Sequence, residues 1–257
     1  MPKKTKKALE VWPGRRLCAP LVRIMGIALE QAVKRVADLV AALCLITLLS
    51  PIMALVGLII RVSSPGPVLF RHRRMGKNGE PFYMFKFRTM VDGADCMGPE
   101  VTIESDSRIT KVGKFLRKAK LDELPQLFNV VRGDMSLVGP RPQSLSYIPF
   151  YPKDDLDVIL SVRPGITGPT QLWLRDEERL LAKQDNPLDF YTNDLLPLKI
   201  ASDVAYVYGR TLPYDLGVLI KTATALFVHR PVEIRVPLPA SSAQQAETKT
   251  QPASRAA

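Results

Sequence analysis

The chain has 257 residues, with 36 Lys and Arg against 25 Asp and Glu, a formal net charge of +11. Three scattered cysteines (Cys18, Cys44, Cys96) and two histidines (His72, His229) exclude a disulfide framework and a histidine-rich metal site. The basic balance points to anionic partners: nucleic acid, anionic lipid or phosphorylated substrates.

Residues 1–35 carry nine basic residues against Glu10 and Glu30. Pro2 and Pro13 suit a mobile lead, and no apolar core with a small-residue cleavage site precedes residue 36, so a signal peptide is not expected. Leu21, Ile24, Met25, Ala28 and Leu29 recur at helical spacing and predict an amphipathic lead-in. From Leu39 to Ile60 there are 22 residues without a charge, about 33 Å of helix, against about 30 Å for a bilayer hydrocarbon core. Ser50-Pro51 interrupts this run. Pro51 removes a donor and predicts a bend, and Ser50 can bond a freed carbonyl. Lys34 and Arg35 precede the run, and residues 61–90 carry seven basic residues against Glu80 alone. With both flanks basic, the positive-inside bias chooses no orientation. A plain span and a same-side hairpin both remain open on these residues.

After the SSPGP break at 63–67, PVLFRHRR and PFYMFKFRTM flank MGKNGE. Gly76 and Asn78-Gly79 supply turn chemistry, which predicts a β-hairpin. Residues 91–107 read as an acidic loop. ITKVGKFLRKAK (109–120) reads as a basic amphipathic helix, and LDELPQLFNVV opens another, with Pro125 in its first turn. RGDMSLVGPRP (132–142) and RPGITGPTQ (163–171) read as ordered loops, and residues 212–228 as a closing helix. Residues 236–257 are rich in Pro, Ala, Ser and Gln and read as disordered.

The chemistry concentrates in KFRTM (86–90), LRKAKLDELPQ (116–126) and DMSLVGPRP (134–142). Adjacent acids on a helix diverge by about 100°, so Asp122 and Glu123 need not act on one atom. For an arbitrary Asp-Glu pair, a capping acid beside a solvated one is the ordinary outcome. Here Arg117, Lys118 and Lys120 precede the pair and a helix N-terminus follows; both favour an anionic ligand. A carboxylate in a phosphate-binding setting holds a divalent cation or attacks phosphorus.

From Lys34 to Thr222 the chain resembles the bacterial sugar transferases, the monotopic polyprenyl-phosphate phosphoglycosyl transferases, in their core form. The resemblance is carried by KRVAD (34–38), the Ser50-Pro51 break, SSPGPVLFRHRRMGKNGEPFYMFKFRTM (63–90), KVGKFLRKAKLDELPQLFNVVRGDMSLVGPRP (111–142) and RPGITGPTQ (163–171). It implies transfer of a sugar-1-phosphate from a UDP-sugar to polyprenyl (undecaprenyl) phosphate with release of UMP, the first membrane step of surface glycan synthesis. It implies a covalent phosphosugar on Asp122, Mg²⁺ held near Asp122, and a second acid at Glu123. Arg117 matches an arginine near the acceptor phosphate. Lys86, Arg88 and Arg141 become candidates for diphosphate contacts, with pairing to Asp92, Asp95, Asp106 or Asp134 as the structural alternative. Arg163 and Gly165 become candidates for shaping the nucleotide pocket. Many relatives follow GITG with Trp-Ala, where this chain has Pro169-Thr170, and residues 172–200 also diverge. Two other functions compete: a transferase that moves only the sugar and leaves UDP, and a basic membrane-anchored module for lipid or nucleic acid. The absence of an aromatic-studded basic stripe argues against nucleic acid.

The expected fold is α+β. It comprises a small hairpin-containing catalytic unit, helices on the membrane face (109–120 and 212–228), and one re-entrant membrane helix broken at Ser50-Pro51. The expected divisions are a basic extension at 1–33, the re-entrant helix at 34–62 anchored at the interface by Lys34 and Arg35, a catalytic domain at 63–235 on the cytoplasmic face of the bacterial inner membrane, and a tail at 236–257. A homodimer is left open. A tag at residue 1 and a tag in the catalytic domain are therefore expected on the same side of the membrane; protease protection that finds them on opposite sides overturns the hairpin.

Overall fold

The structure is a computed structural model that describes residues 15–98, 102 and 106–227, with side chains placed between residues 29 and 225. The expected tail at 236–257, and the amphipathic side chains at 21–28, lie outside the described residues. The fold is a mixture of helices with two small sheets.

Helix α1 (Arg15–Ser63) is one continuous element. It crosses the expected 33/34 division and passes through Ser50-Pro51 without a break in the helical assignment, where the sequence predicts an interruption. The reason is local. Pro51 has no N–H for the Thr47 carbonyl one turn back, and the Ser50 hydroxyl donates to that carbonyl instead, at 2.9 Å. The Thr47 hydroxyl donates in turn to Leu43 O at 3.0 Å. The groups that proline frees are thus satisfied within the helix, as a hydrocarbon environment requires.

One stripe of α1 faces the protein. Asp38, Ala42, Val56 and Ile60 are buried, and Ile46, Leu49, Met53 and Gly57 between them are half-buried. The spacing of three and four residues is that of a single helix face. The other side leaves Val40, Leu43, Leu48, Leu55 and Leu58 exposed. Among the described residues, Leu29–Ser63 is the one helix long and apolar enough to cross a membrane. Both ends of its apolar run dock on the same body. Ala42 joins a core cluster with Leu127 and Val130, while Val56 and Ile60 join one with Phe87 and Leu116.

Lys34 and Arg35, expected as interface anchors, make their contacts with protein groups. Lys34 Nζ pairs with Asp215 Oδ2 at 2.5 Å and lies 3.7 Å from Asp38. Arg35 donates to Val130 O at 2.6 Å and Val131 O at 3.1 Å. These are last-turn carbonyls of helix α3 (Gln126–Arg132), where a cation also suits the helix dipole. Asp38 accepts from the Ser136 hydroxyl at 2.6 Å, and Asp215 from the Tyr206 hydroxyl at 2.8 Å.

The hairpin forms as expected. Strands β1 (Leu69–Met75) and β2 (Pro81–Phe87) pair antiparallel from Leu69↔Phe87 to Met75↔Pro81. Asn78 (φ 58°) and Gly79 (φ 78°) supply the left-handed residues of the turn. Helix α2 (Lys111–Lys118) is capped by the Thr110 hydroxyl, which accepts from Gly113 N at 2.9 Å. Lys120 then takes a left-handed conformation (φ 56°), and a 3-10 turn at Leu121–Glu123 leads through Leu124 and Pro125 into α3. The chain is therefore helical in conformation from Leu121 to Arg132, with the two acids in its first turn.

The loops expected at 132–142 and 163–171 contain a parallel strand pair, β3 (Ser136–Val138) with β4 (Gly165–Thr167). Gly165 is structural here: a Cβ would meet Gly139 N and Cα of the facing chain. The remainder is helical: α4 (Lys153–Leu160), α5 (Pro169–Trp173), α6 (Glu177–Leu181), α7 (Pro187–Phe190), α8 (Leu196–Gly209) and α9 (Leu212–Phe227). Tyr151, Ile159, Leu181, Tyr191, Leu196 and Ile200 form a second core cluster in this half. Each fully buried Leu, Ile or Met contributes about 1.5–3 kcal/mol.

Asn129, fully buried, joins the hairpin to α3. Its Oδ1 accepts from Phe85 N at 2.9 Å, and its Nδ2 donates to Tyr83 O at 2.8 Å. Replacing Asn129 by Ala leaves both backbone groups without their partner. The expected cost is about 2–4 kcal/mol, read by chemical denaturation in detergent; a loss below about 0.5 kcal/mol contradicts this account.

Candidate active site

Three chain segments meet at one carboxylate. Lys86 comes from β2, Glu123 from the turn before α3, and Arg141 from the loop after β3. Glu123 Oε1 accepts from Lys86 Nζ at 2.9 Å and from Arg141 Nη2 at 2.7 Å. Burial alone would raise the Glu123 carboxyl, but the Arg141 and Lys86 cations, with the Arg141 hydrogen bond, hold it well below the usual range. The same burial lowers Lys86, against the pull of Glu123, and the nearby Arg141 cation lowers it further. Arg141 is held above its ordinary value, chiefly by Glu123. The sequence offered Lys86 and Arg141 as diphosphate contacts with an Asp as the alternative partner; the structure pairs both with Glu123.

Asp122 Oδ1 accepts no hydrogen bond from this clamp. It is 6% exposed, and its Oδ1 is enclosed with no hydrogen bond among the described residues. Burial pushes its carboxyl up; Lys86 pulls it down, and the adjacent Glu123 charge raises it again. Lys120 and Arg117 add smaller favourable terms. The two neighbouring acids are thereby driven in opposite directions. A buried carboxylate oxygen with four cationic side chains around it and no partner suits an incoming phosphorus, or a hard cation that accompanies one.

Arg117 is near the dyad. Its Nη1 lies 3.4 Å from Glu178 Oε1 of α6. The adjacent Glu177 holds Lys199 Nζ at 3.0 and 3.2 Å and fixes α6 against α8. Behind them Asp203, fully buried, accepts from the Thr170 hydroxyl at 2.6 Å, and burial pushes its carboxyl up to about 7. Thr170, just after the RPGITG segment, also lies 2.8 Å from the Ser202 hydroxyl.

Three predicted residues serve the framework. Arg88 is buried and donates to Pro65 O at 2.6 Å and to Ser64 O and Oγ at 2.9 and 2.8 Å. It thereby locks the break after α1, where Gly66 has φ 108°. Arg163 Nε donates to Gly133 O at 2.8 Å, and Gly165 lies within β4. Sequence reasoning missed Glu177, Glu178, Lys199 and Asp203. They lie in the divergent stretch or just beyond it, and no motif spacing marks them.

Comparison with known proteins adds the following. The profile described as bacterial sugar transferase matches residues 29–229. A UDP-glucose:undecaprenyl-phosphate glucose-1-phosphate transferase of Caulobacter vibrioides is 40% identical over 198 residues, covering 75% of this chain and 69% of that protein. A UDP-N-acetylgalactosamine-undecaprenyl-phosphate N-acetylgalactosaminephosphotransferase of Aeromonas hydrophila is 36% identical, covering 74% and 42%. An undecaprenyl-phosphate galactose phosphotransferase of Salmonella typhimurium is 36% identical, covering 76% and 40%. The chain thus spans less than half the length of the latter two.

The Asp122 carboxyl is expected to titrate above the ordinary carboxylate range. Lys86→Met moves it higher still, because the largest charge favouring ionisation is removed. Carbon-13 NMR of the aspartate carboxyls, with Asp122→Asn for assignment, measures both; a downward move in Lys86→Met contradicts the electrostatic account.

Proposed function

The chain belongs to the bacterial sugar transferase family, and from that premise we propose that it transfers a sugar-1-phosphate from a UDP-sugar to polyprenyl phosphate, releasing UMP, as an early membrane step of surface polysaccharide synthesis. The observation that carries this reading is the partnerless, buried Asp122 oxygen beside Lys86, Lys120, Arg117 and Arg141, with the neighbouring Glu123 already engaged.

The Asp122 carboxylate attacks the sugar-bearing phosphorus of the UDP-sugar. A bond forms between Asp122 oxygen and phosphorus, the phosphoanhydride bond breaks, and UMP leaves with the electron pair. An oxygen of polyprenyl phosphate then attacks the same phosphorus. The acyl phosphate bond breaks, Asp122 is regenerated, and the sugar leaves on a polyprenyl diphosphate. Both attacks join anions, so each needs its charge offset by fixed cations. Lys86 and Arg141 hold Glu123 ionised and set the local field, and Arg117 is placed to receive the acceptor phosphate. Splitting the transfer lets a soluble donor and a membrane-held acceptor use one carboxylate in turn.

Mg²⁺ fits this donor set. Among the described residues no three acids, histidines or cysteines gather as a ready metal cage, and Asp122 supplies one free oxygen. That is the usual way Mg²⁺ is held, by one or two carboxylates, waters and substrate phosphates. Bound there, it would offset charge on the diphosphate.

Docking of both ends of the apolar run of α1 on one catalytic body supports a monotopic arrangement. A crossing helix would put one end on each side of the bilayer, where a single body could not hold both. A UDP-sugar donor places that body on the cytoplasmic face of the inner membrane.

The three relatives are named for three different sugars, so the test is a panel. Full-length protein in detergent with Mg²⁺ and undecaprenyl phosphate is given UDP-glucose, UDP-galactose and their N-acetylated forms. UMP is the expected nucleotide with at least one donor, and UDP in its place refutes the reaction. Asp122→Asn is expected to lower UMP release by about 10³-fold or more. Label from a β-³²P UDP-sugar should stay on wild-type protein and not on the variant.

A further inference from the structure

Arg117 is held near a carboxylate that the proposed chemistry does not use. Glu178 Oε1 lies 3.4 Å from Arg117 Nη1, yet that nitrogen is enclosed and makes no hydrogen bond among the described residues. The Glu178 side chain is 43% exposed. Its neighbour Glu177 behaves differently, bonding Lys199 through both oxygens and anchoring α6. So α6 is fixed by one acid while the other is held loosely before Arg117. An arginine fork with an unbonded donor and a displaceable carboxylate resembles a phosphate site at rest.

We propose that Glu178 is a specificity-determining residue, an internal competitor at Arg117 that admits the phosphomonoester of a polyprenyl phosphate and refuses the phosphodiester headgroups of bilayer lipids. The proposal rests on the reaction assigned above. A monoester carries a charge of about −1.5 to −2 at pH 7 and presents three free oxygens. A diester carries a single charge, no more than Glu178 itself, so exchanging one for the other gains nothing at Arg117. The monoester gains both charge and fork geometry. The location makes discrimination useful. Phe115, two residues before Arg117 on α2, is 65% exposed, and the outer face of α1 is apolar and uncovered. At a membrane surface the phosphodiester lipids would compete for any arginine that binds the acceptor phosphate.

The test compares full-length wild type with Glu178→Gln in phosphate-free dodecyl maltoside micelles, reading UMP release against polyprenyl phosphate concentration. Phosphatidylglycerol is then titrated in. The variant is expected to show a KM for polyprenyl phosphate roughly two- to fivefold lower, since a weak, partly exposed ion pair no longer competes. It should also gain competitive inhibition by phosphatidylglycerol that the wild type lacks, and Glu178→Asp should restore discrimination. A misfolded variant cannot mimic a tightened KM. An unchanged or raised KM in an active variant, or equal inhibition of both proteins, overturns the filter while the reaction stands. A wild type that releases no UMP overturns the reaction, and the filter with it.

Discussion

The site depends on two cations sharing one oxygen of Glu123. Lys86, Glu123 and Arg141 are far apart in sequence, and Glu123 Oε1 binds both bases within 2.9 Å. A partly buried carboxylate flanked by two bases stays ionised, and its neighbour on the same 3-10 turn projects about 120° away. That divergence leaves Asp122 outside the clamp but inside its field. Removing either base would leave a poorly compensated buried charge, which is why this contact fixes β2, the turn before α3 and the loop after β3 together. Asn129 reinforces it one turn further on, by bonding the β2 backbone to α3.

A second set of polar contacts, one of them an ion pair, fixes α1 to this frame. Lys34 reaches Asp215 on α9, Asp38 reaches Ser136 on β3, and Arg35 caps α3. The helix that would hold the protein in the bilayer is thus continuous, through short polar contacts, with the strand and helix that position the dyad. At its other end, Val56 and Ile60 pack on Phe87 and Leu116, beside Arg88 and its lock on the SSPGP turn. The catalytic unit therefore holds the apolar run at both ends, so a shift of that run would be felt at the frame around Asp122.

Local features were legible in the sequence. The Asn78-Gly79 turn between the paired strands and the Pro125 start each depend on a few adjacent residues, and each appears as expected; the Thr110 cap on α2 is equally local. The acidic dyad was legible because its basic neighbours are adjacent. What stayed hidden involves distant pairing. Lys34 beside an apolar run looks like a headgroup anchor, but its partner Asp215 lies 181 positions away. Arg88 within a basic motif looks like a phosphate ligand, but its acceptors are carbonyls of a turn 23 and 24 residues earlier. The parallel β3–β4 pair was read as loop because each strand has only three residues, too few to show a period. At Ser50-Pro51 the sequence offered both a missing donor and a hydroxyl able to bond the freed carbonyl; the hydroxyl does bond it, and the helix continues.

The division of labour between the two acids follows from their partners. Glu123 has two cations within hydrogen-bond reach and is pushed below the usual range, while Asp122 has burial and a like charge against it and is pushed above. Neighbouring titratable groups driven apart in this way take different roles. The depressed acid is a fixed negative charge that orients Lys86 and Arg141. The raised acid is costly to ionise in the resting site, and its anion gains most from forming a bond or meeting a cation. Asp122 would then be a poor permanent resident and a good transient nucleophile. Strengthening its hydrogen bonds would stabilise the fold at the expense of that property, so its partnerless oxygen is best understood as part of the working site.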